Sequence, residues 1–349
     1  MENQEPKPQR RVRYAGTHPK AFKEKYKELK PEKYAEDVEK VMKQGRTPAG
    51  MHRSICVNEI LDILQIQPGQ IGLDATLGYG GHSLEILKCL QPNGLLYATD
   101  VDPIELPKTK ERLANLGYGE DKIAIRKMNF SNILQIVAEA GPLNFILADL
   151  GISSMQIDNP DRGFSFKING PLDLRLNPNS GKSAADVLKK ISTEKLIDIL
   201  KVNADEPYAE QIAQAITAHI AAGKEIVSTS QLQNIIQEAL QLIRSVNAKE
   251  EIKKSCQRSF QALRIEVNDE FGVLDKFLER LPQALAPGGK VAILSFHSGE
   301  DRRVKKSFQN FFRDGVYSDI SHEFSKASAE ECFTNPRAKS AKLRWAVKG

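Results

Sequence analysis

Short apolar runs alternate with amphipathic segments along the chain beyond residue 50. Four runs have the length and composition of buried strands, at Gln70–Ala75, Gly94–Thr99, Ile123–Arg126 and Phe145–Ala148. Two segments between them have helical spacing, at Ser83–Leu90 and Pro103–Leu116. This alternation predicts an α/β fold with a parallel sheet that helices cover on both faces.

The middle of the chain is rich in helical patterns and lacks strand patterns. Helices are predicted at Ala184–Leu200, Tyr208–Ala222 and Gln231–Ile243, the last with a capping box of Ser230 and Gln233. The α/β pattern resumes with a helix at Val267–Leu285, a turn at 287–289 and a strand at Lys290–Phe296. We therefore predict a discontinuous Rossmann-type domain, residues 51–157 and 258–349, interrupted by a helical insert of residues 158–257.

The first 50 residues form a predicted basic extension. They hold thirteen Lys and Arg against eight Asp and Glu, so the formal net charge of +5 for the whole chain can be assigned to them. A basic arm on a balanced body indicates an anionic partner such as nucleic acid. A solvated tail is the equally weighted alternative.

Composition excludes several classes of protein. No apolar run approaches the roughly 20 residues that a membrane span needs, and the polar N-terminus does not resemble a signal peptide. We therefore expect a cytoplasmic protein with no membrane partner. The four cysteines are scattered without a C-x-x-C pair, so neither a disulfide framework nor a metal site is expected.

A glycine-rich loop between a strand and a helix is the strongest local signal, at Asp74–Ser83. Glycines there let the backbone approach a ligand closely. Asp100 lies nineteen residues after Gly81, at the end of the next predicted strand. A carboxylate in that position can accept both ribose hydroxyls of an adenosine-containing cofactor.

The loop narrows the choice of cofactor without fixing it. It has the pattern G-x-G-G, which lacks the third glycine of the dinucleotide fingerprint, and no lysine follows as in a phosphate-binding loop. S-adenosylmethionine needs close backbone approach and a ribose carboxylate but no pyrophosphate clamp. These residues favour an adenosine cofactor over a purely structural turn and leave S-adenosylmethionine and NAD both open.

Two further residues are predicted to lie at the same edge of the sheet. Asp149 ends one apolar run, and Phe130 follows another. Ligands of open α/β sheets bind beyond the carboxyl ends of the strands, where an aromatic ring can cover an adenine. Core packing of Phe130 and helix capping by Asp149 are the alternatives.

Several strings, in this order, match a known family. They are Asp74–Ser83, Asp149–Asp158, Arg162–Phe166, Gly170–Arg175, Ser259–Asn268, Ser295–Ser298 and Asn335–Arg344. With them the chain resembles the bacterial ribosomal RNA small-subunit methyltransferase H family, also called MraW, from His52 to its C-terminus. The resemblance implies a class I methyltransferase fold, a helical insert that helps hold substrate, and S-adenosylmethionine as cofactor. It also implies methyl transfer to the exocyclic amine of a cytidine in 16S RNA of the small ribosomal subunit, near the decoding centre.

The resemblance also implies site residues. The cofactor contacts would be Gly80, Gly81, His82, Asp100, Phe130, Asp149 and Gln156. Candidate substrate contacts are Arg162, Arg264, His297 and Arg302, with Arg175 a further candidate for phosphate. Internal ion pairing is the alternative for the arginines. The C-terminal cations Arg337, Lys339, Lys342 and Arg344 either follow the RNA backbone or form a solvated end.

The proton acceptor is left unassigned by the sequence. Asp149, Ser153 and Ser154 are the best-placed acceptors for the amine proton, although Asp149 could instead serve the cofactor. Two other functions are kept as alternatives. One is a related methyltransferase for another nucleic acid or a small molecule, because the segment 208–216 lacks the arginines that many family members carry there. The other is a non-catalytic protein that binds the cofactor or RNA.

Overall fold

The computed structural model describes residues 54–242 and 247–349. The predicted basic extension of residues 1–50 lies outside the described residues. Within the described ranges, a seven-stranded sheet carries helices on both faces. The strands are β1 (Ile71–Asp74), β2 (Leu95–Asp100), β3 (Ile123–Lys127), β4 (Leu143–Asp149), β5 (Leu285–Ser295), β6 (Tyr317–Ile320) and β7 (Lys342–Lys348).

The strand order is β3-β2-β1-β4-β5-β7-β6. The first five are parallel, and β7 runs antiparallel to both β5 and β6. This confirms the prediction of a Rossmann-type α/β fold. Because β1 pairs with β2 on one side and β4 on the other, the chain winds outward in both directions from β1. Open α/β sheets bind ligands at such a switch point.

Helices and two apolar clusters cover the sheet. The helices are α1 (Val57–Leu64), α2 (Gly81–Leu90), α3 (Glu105–Asn115), α4 (Leu134–Ala140), α5 (Ser154–Asp158), α6 (Ala184–Leu188), α7 (Thr193–Ala204), α8 (Ala209–Ala221), α9 (Thr229–Leu240), α10 (Ala248–Asn268), α11 (Glu270–Ala284), α12 (Ser298–Arg313) and α13 (Ala329–Thr334). One cluster includes Phe277 of α11 and Phe308 of α12, and the other includes Ile60 of α1 and Leu87 of α2. Burial of these side chains is what holds the helices to the sheet.

A third apolar cluster is formed by helices of the middle segment. Its buried residues lie between Phe164 and Leu263 and include Leu200, Ile212 and Ile236. Ile152, from the loop after β4, packs against this cluster. The helical block, as we call residues 164–263, therefore packs beside the carboxyl end of β4. The domain boundaries at 158 and 257 stay a prediction.

Several predicted helix boundaries were wrong. The pattern at 184–200 is two helices, because Ser192 accepts from the backbone N–H of Lys195 and starts α7. The capping box of α9 uses Ser228 and Gln231, two residues before the predicted pair. The helix predicted from residue 267 is interrupted at Asp269, whose φ of 48° ends α10. Apolar spacing does not report a serine cap such as Ser192 or a left-handed backbone residue such as Asp269.

The predicted turn at 287–289 lies within a strand. Strand β5 begins at Leu285, which pairs with Leu143 of β4, and a register shift accommodates the glycines. Strands β6 and β7 were not predicted. Strand β7 alternates charged with apolar residues and pairs with β5 from Lys290 to Ser295. The charged residues of β7 masked the apolar pattern of a strand, although β7 lies inside the sheet between β5 and β6.

Among the described residues, no helix combines the length and apolar content that crossing a membrane requires.

Candidate active site

The carboxyl ends of β1, β2 and β4 bring three aspartates to one edge of the sheet. Asp74, Asp100 and Asp149 are the last residues of these strands. The ends of β1 and β4 are tied together, because the backbone N–H of Asp149 donates to Oγ1 of Thr76 at 2.6 Å. Ser83 donates to Asp74 at 2.6 Å, which fixes the start of α2 on the end of β1. These two hydrogen bonds therefore link the ends of β1 and β4 to each other and to the start of α2.

The glycine loop crosses this edge between β1 and α2. Gly80 has a φ of 74°, and its N–H donates to the carbonyl of Leu77 at 2.6 Å in a tight turn. This left-handed conformation favours glycine over residues with a side chain. A Cβ at Gly81 would meet the side chain of Ser54, with the Oγ of Ser54 2.1 Å away, and that hydroxyl can rotate aside. Packing alone therefore does not demand glycine at position 81, and the predicted cofactor contacts of Gly80 and Gly81 stay predictions.

Asp100 has the geometry that a ribose carboxylate needs. Its Oδ2 accepts from the N–H of Gly78 at 2.8 Å, and its Oδ1 accepts from the N–H of Asp102 at 2.9 Å. A carboxylate offers about four acceptor positions. Acceptor capacity therefore remains for a ligand hydroxyl, which fits a ribose hydroxyl of an adenosine. Burial raises the pKa of Asp100, whereas the backbone N–H groups of Asp102, Gly78 and Val101 lower it.

His82, which is buried, and Asp149, whose side chain is 31% exposed, form a pair across the loop. Nε2 of His82 lies 2.9 Å from the carbonyl of Ile55, so this nitrogen is assigned as the one that carries the proton. Nδ1 then faces Oδ2 of Asp149 at 3.5 Å with a lone pair. The contact is attractive only when a further proton lies on one of the two groups. Burial raises the pKa of Asp149 to about 6, with His82 lowering it and Asp74 and Glu300 raising it.

Phe130 and Gln156 lie beside this edge with partners inside the protein. Phe130 is half-buried and meets Phe277 edge to face at 5.0 Å between ring centroids. Oε1 of Gln156 accepts from the N–H of Ser153, and its Nε2 donates to Asp102 at 2.7 Å. These contacts give Gln156 a part in holding α5. The predicted cofactor contacts of both residues stay predictions.

Two of the candidate phosphate-binding arginines are engaged internally. Arg162 is 4% exposed and lies 2.7 Å from Asp102. Arg264 makes two hydrogen bonds to Glu270, at 2.8 and 2.9 Å, and both side chains are 13% exposed. This is the internal pairing that the sequence left as the alternative. Neither guanidinium is presented to a phosphate in this conformation.

His297 and Arg302 lie where α12 begins. Nδ1 of His297 accepts from the N–H of Glu300, and Nε2 lies 3.1 Å from the Glu300 carboxylate, so the ring caps the helix. His297 lowers the pKa of Glu300 against the effect of its burial. Arg302 is 60% exposed and meets Asp205, the residue that ends α7, at 3.2 Å. Such an exposed pair is weak, so Arg302 keeps the capacity to bind a phosphate.

The remaining candidate cations differ in exposure. Arg175 makes two hydrogen bonds to Asp173, at 2.7 and 2.8 Å. Arg344 was expected to be solvated or on the RNA, which is wrong for this conformation because it is 3% exposed and bonded to Asp301 at 2.6 Å. Lys342 meets the same Asp301, and Arg337 lies 3.9 Å from Asp158 of α5. Lys339 is exposed.

The site residues that the sequence reasoning missed are acidic. Asp102 binds Gln156 and Arg162, Asp74 supports α2, and Glu300 contributes to the electrostatics of Asp149. The string Asp100-Val101-Asp102 contained the signal for the first. Asp100 and Asp102 flank a single residue at the end of β2, so both side chains can face the same region. Glu300 gave no comparable signal, because its hydrogen-bond partners, Phe296 and His297, are local, whereas Asp149, whose pKa it raises, lies far away along the chain.

One cluster outside this edge has the residue types of a metal site. The thiol of Cys56 and carboxylates of Glu59 and Glu331 lie within 4.8 Å of one another. Both oxygens of Glu331 accept from the N–H of Cys56 at 3.2 Å. Burial, reinforced by the two carboxylates, raises the pKa of Cys56 to about 12. Because Cys56 caps α1 and Glu331 belongs to α13, the two hydrogen bonds tie α13 to α1.

Comparison with known proteins gives the family. A model of the MraW methylase family matches residues 49–349. "Ribosomal RNA small subunit methyltransferase H 2" of Alkaliphilus metalliredigens is 67% identical and covers 100% of both chains. Proteins named "Ribosomal RNA small subunit methyltransferase H 1" are 62% identical in Lachnoclostridium phytofermentans, covering 99% of this chain and 95% of that one, and 56% identical in Agathobacter rectalis, covering 99% of each. This chain therefore belongs to the MraW methylase family.

Proposed function

We propose that this protein transfers the methyl group of S-adenosylmethionine to the N4 amine of a cytidine in 16S RNA of the small ribosomal subunit, in the cytoplasm. The observation that carries the proposal is the placement of Asp100 and Asp149 on either side of the glycine loop. Asp100 has acceptor positions for ribose hydroxyls. Asp149 is an acid of raised pKa at the end of β4, on the other side of β1. The names of the related proteins support ribosomal RNA as the substrate.

The chemistry requires alignment more than nucleophile activation. The exocyclic amine of cytosine is a poor nucleophile because its lone pair is conjugated with the ring. The bound cofactor supplies an electrophilic methyl group on a sulfonium, and its thioether product leaves when the nitrogen–carbon bond forms. The protein must hold an unstacked base in line with that methyl group and accept the proton that the amine loses.

Asp149 is the acceptor that the geometry favours for this proton. Ser153 is already used as the cap of α5, and a hydroxyl is a far weaker base than a carboxylate. A proton on Oδ2 of Asp149 would lie beside Nδ1 of His82, the nitrogen with a free lone pair. The pair can thus hold the proton until product leaves. Arg302, exposed at the start of α12, and Lys339, which is also exposed, could each bind a phosphate without breaking a buried pair.

Methyl transfer to assembled and naked RNA tests the proposal. Radiolabelled S-adenosylmethionine would be incubated with small ribosomal subunits that lack the modification, with free 16S RNA and with DNA. Nuclease mapping of the label to a cytidine amine is the expected result. Label on DNA would instead favour the alternative substrate, and failure to bind the cofactor would favour the non-catalytic alternative.

The methyl-transfer rate is expected to increase with pH through about 6. The reason is that Asp149 must be a carboxylate to accept a proton, and burial raises its pKa to about 6. Below that value the protonated fraction cannot act, so the rate should fall about tenfold for each pH unit. Single-turnover rates between pH 5 and 8, with folding checked at each pH, measure this. A rate that is constant from pH 5 to 7 would contradict the assignment.

Removal of residues 1–50 is expected to weaken RNA binding and leave cofactor affinity unchanged. The segment has an excess of five positive charges, and electrostatic attraction to phosphates is weakened by salt. The relatives in Alkaliphilus and Lachnoclostridium cover 99–100% of this chain, although the family model begins at residue 49. Titrations of RNA and of S-adenosylhomocysteine at two salt concentrations test it. Equal loss of both affinities would refute this role.

A further inference from the structure

A second aspartate lies two residues beyond the end of the ribose-side strand. Asp102 is fully buried, and all its acceptor positions are filled. Its Oδ1 accepts from the N–H groups of Ile104 and Glu105, at 2.9 and 3.3 Å. Its Oδ2 accepts from Gln156 and from Nη1 of Arg162, each at 2.7 Å. Asp102 therefore has no free acceptor position for a ligand, and its role lies in the contacts that it makes within the protein.

Arg162 connects Asp102 to the helical block. Its Nη2 donates to the carbonyls of Arg175 and Leu176, at 3.0 and 2.8 Å. Asn268, the last residue of α10, also hydrogen-bonds to this loop, residues 174–176. Its Oδ1 accepts from the N–H of Leu176 at 2.7 Å, and its Nδ2 donates to the carbonyl of Leu174 at 2.8 Å. The loop of residues 174–176 is thus clamped between Arg162 and α10.

The loop needs such a clamp. Leu174 is 1% exposed and has a φ of 63°, a conformation that a branched side chain rarely adopts. Surrounding contacts must hold such a residue in place, and strained backbone of this kind is found at functional sites. The guanidinium of Arg162 suits this role, because its planar fork can donate to a carboxylate and to two carbonyls at once.

Asp102 also connects the contacts of Arg162 to Asp100, the candidate ribose carboxylate. The N–H of Asp102 donates to Oδ1 of Asp100, while the side chain of Asp102 binds Arg162. A continuous set of short contacts therefore runs from Asp100 through Asp102 and Arg162 to the loop of residues 174–176. We infer that Arg162 is a positioning residue that fixes the helical block relative to the cofactor, so that the target amine meets the methyl group. The inference rests on the proposed function.

The test compares three variants in the full-length chain. Arg162→Lys keeps a cation beside Asp102 but cannot reach both carbonyls of the loop. Arg162→Gln leaves a buried carboxylate without its charged partner, and Asp102→Asn with Arg162→Gln removes both charges. Arg258→Lys is the matched control, because Arg258 pairs with the buried Glu206 at 2.7 Å in the helical block and contacts neither Asp102 nor the loop.

Arg162→Lys is expected to lower kcat on small subunits by about 10- to 100-fold, because misplacement by about 1 Å has effects of this size. Its affinity for S-adenosylhomocysteine should change less than about twofold, and amide exchange at 174–176 should accelerate. The double variant should regain the Tm that Arg162→Gln loses, yet keep the low kcat. Arg258→Lys should leave kcat unchanged.

Three outcomes would overturn the inference, and they are distinguishable. If the wild type is active and Arg162→Lys is equally active, Arg162 has a structural role only. The same conclusion follows if the double variant regains kcat together with Tm. A wild type that binds the cofactor but methylates neither subunits nor RNA would overturn the proposed function, and this inference with it.

Discussion

Asp100→Ala is expected to weaken S-adenosylmethionine binding by about 10²- to 10⁴-fold while the chain stays folded. Hydrogen bonds to a charged acceptor contribute about 1.5–3 kcal/mol each, and two ribose hydroxyls would lose theirs. The free energy of unfolding should fall less. Asp100 is only partly buried, so the N–H groups of Gly78 and Asp102, which it now accepts from, lie close to solvent. Water can replace the carboxylate there.

Calorimetric titration with S-adenosylmethionine and thermal unfolding would measure the two effects. Asp121→Ala is the matched control, because Asp121 is 74% exposed and lies on the loop before β3. It should bind the cofactor as tightly as the wild type. A folded Asp100→Ala protein with normal cofactor affinity would contradict the ribose assignment and would favour a structural role for the Asp100 contacts.

The parallel core of the fold was predictable because its signal is local. Strands β1, β2 and β4 are buried on both faces, so each is a short apolar run that ends at a polar residue. These polar residues, Asp74, Asp100 and Asp149, then had to meet at one edge once the strands were parallel. The edge of the site therefore followed from the alternation of strands and helices.

The partners of the charged residues were not predictable in the same way. Arg162 and Asp102 are sixty residues apart in the chain, and Arg344 and Asp301 are forty-three apart. The sequence of a short motif does not show whether its arginine faces a phosphate or a buried carboxylate. Only the fold decides between these partners. For Arg344 it does so by placing β7 beside β5, a pairing that the charges of β7 concealed.

Asp149→Asn is expected to reduce methyl transfer by about 10²- to 10⁴-fold, because the amide cannot accept a proton from the amine. The same change is expected to stabilise the protein at pH 8. Burial raises the pKa of Asp149 from 3.8 to about 6, which means that the folded state disfavours the carboxylate. The carboxylate then destabilises the folded state above pH 6, by at most about 3 kcal/mol. An asparagine removes that charge, and its Nδ2 can donate to Nδ1 of His82.

The sign of the pH dependence separates this explanation from a general packing effect. An acid whose folded pKa is raised destabilises the fold fully above the folded value, and the penalty disappears as the pH falls towards the unfolded value. The stability advantage of Asp149→Asn should therefore be largest at pH 8 and small at pH 4.5. Urea unfolding of both proteins at the two pH values measures it, with Asp198→Asn, a change at an exposed acid in α7, as the control.

An advantage that is equal at both pH values would mean that the asparagine packs better and that Asp149 carries no charge penalty. A destabilised variant at pH 8 would mean that the carboxylate is held by its contact with His82 more strongly than burial opposes it. If the fold retains a partly buried acid for proton acceptance, the Asp149→Asn change should lower activity and raise stability. A site that must accept a proton near neutral pH needs an acid of raised pKa, and the burial that raises the pKa is what destabilises the fold.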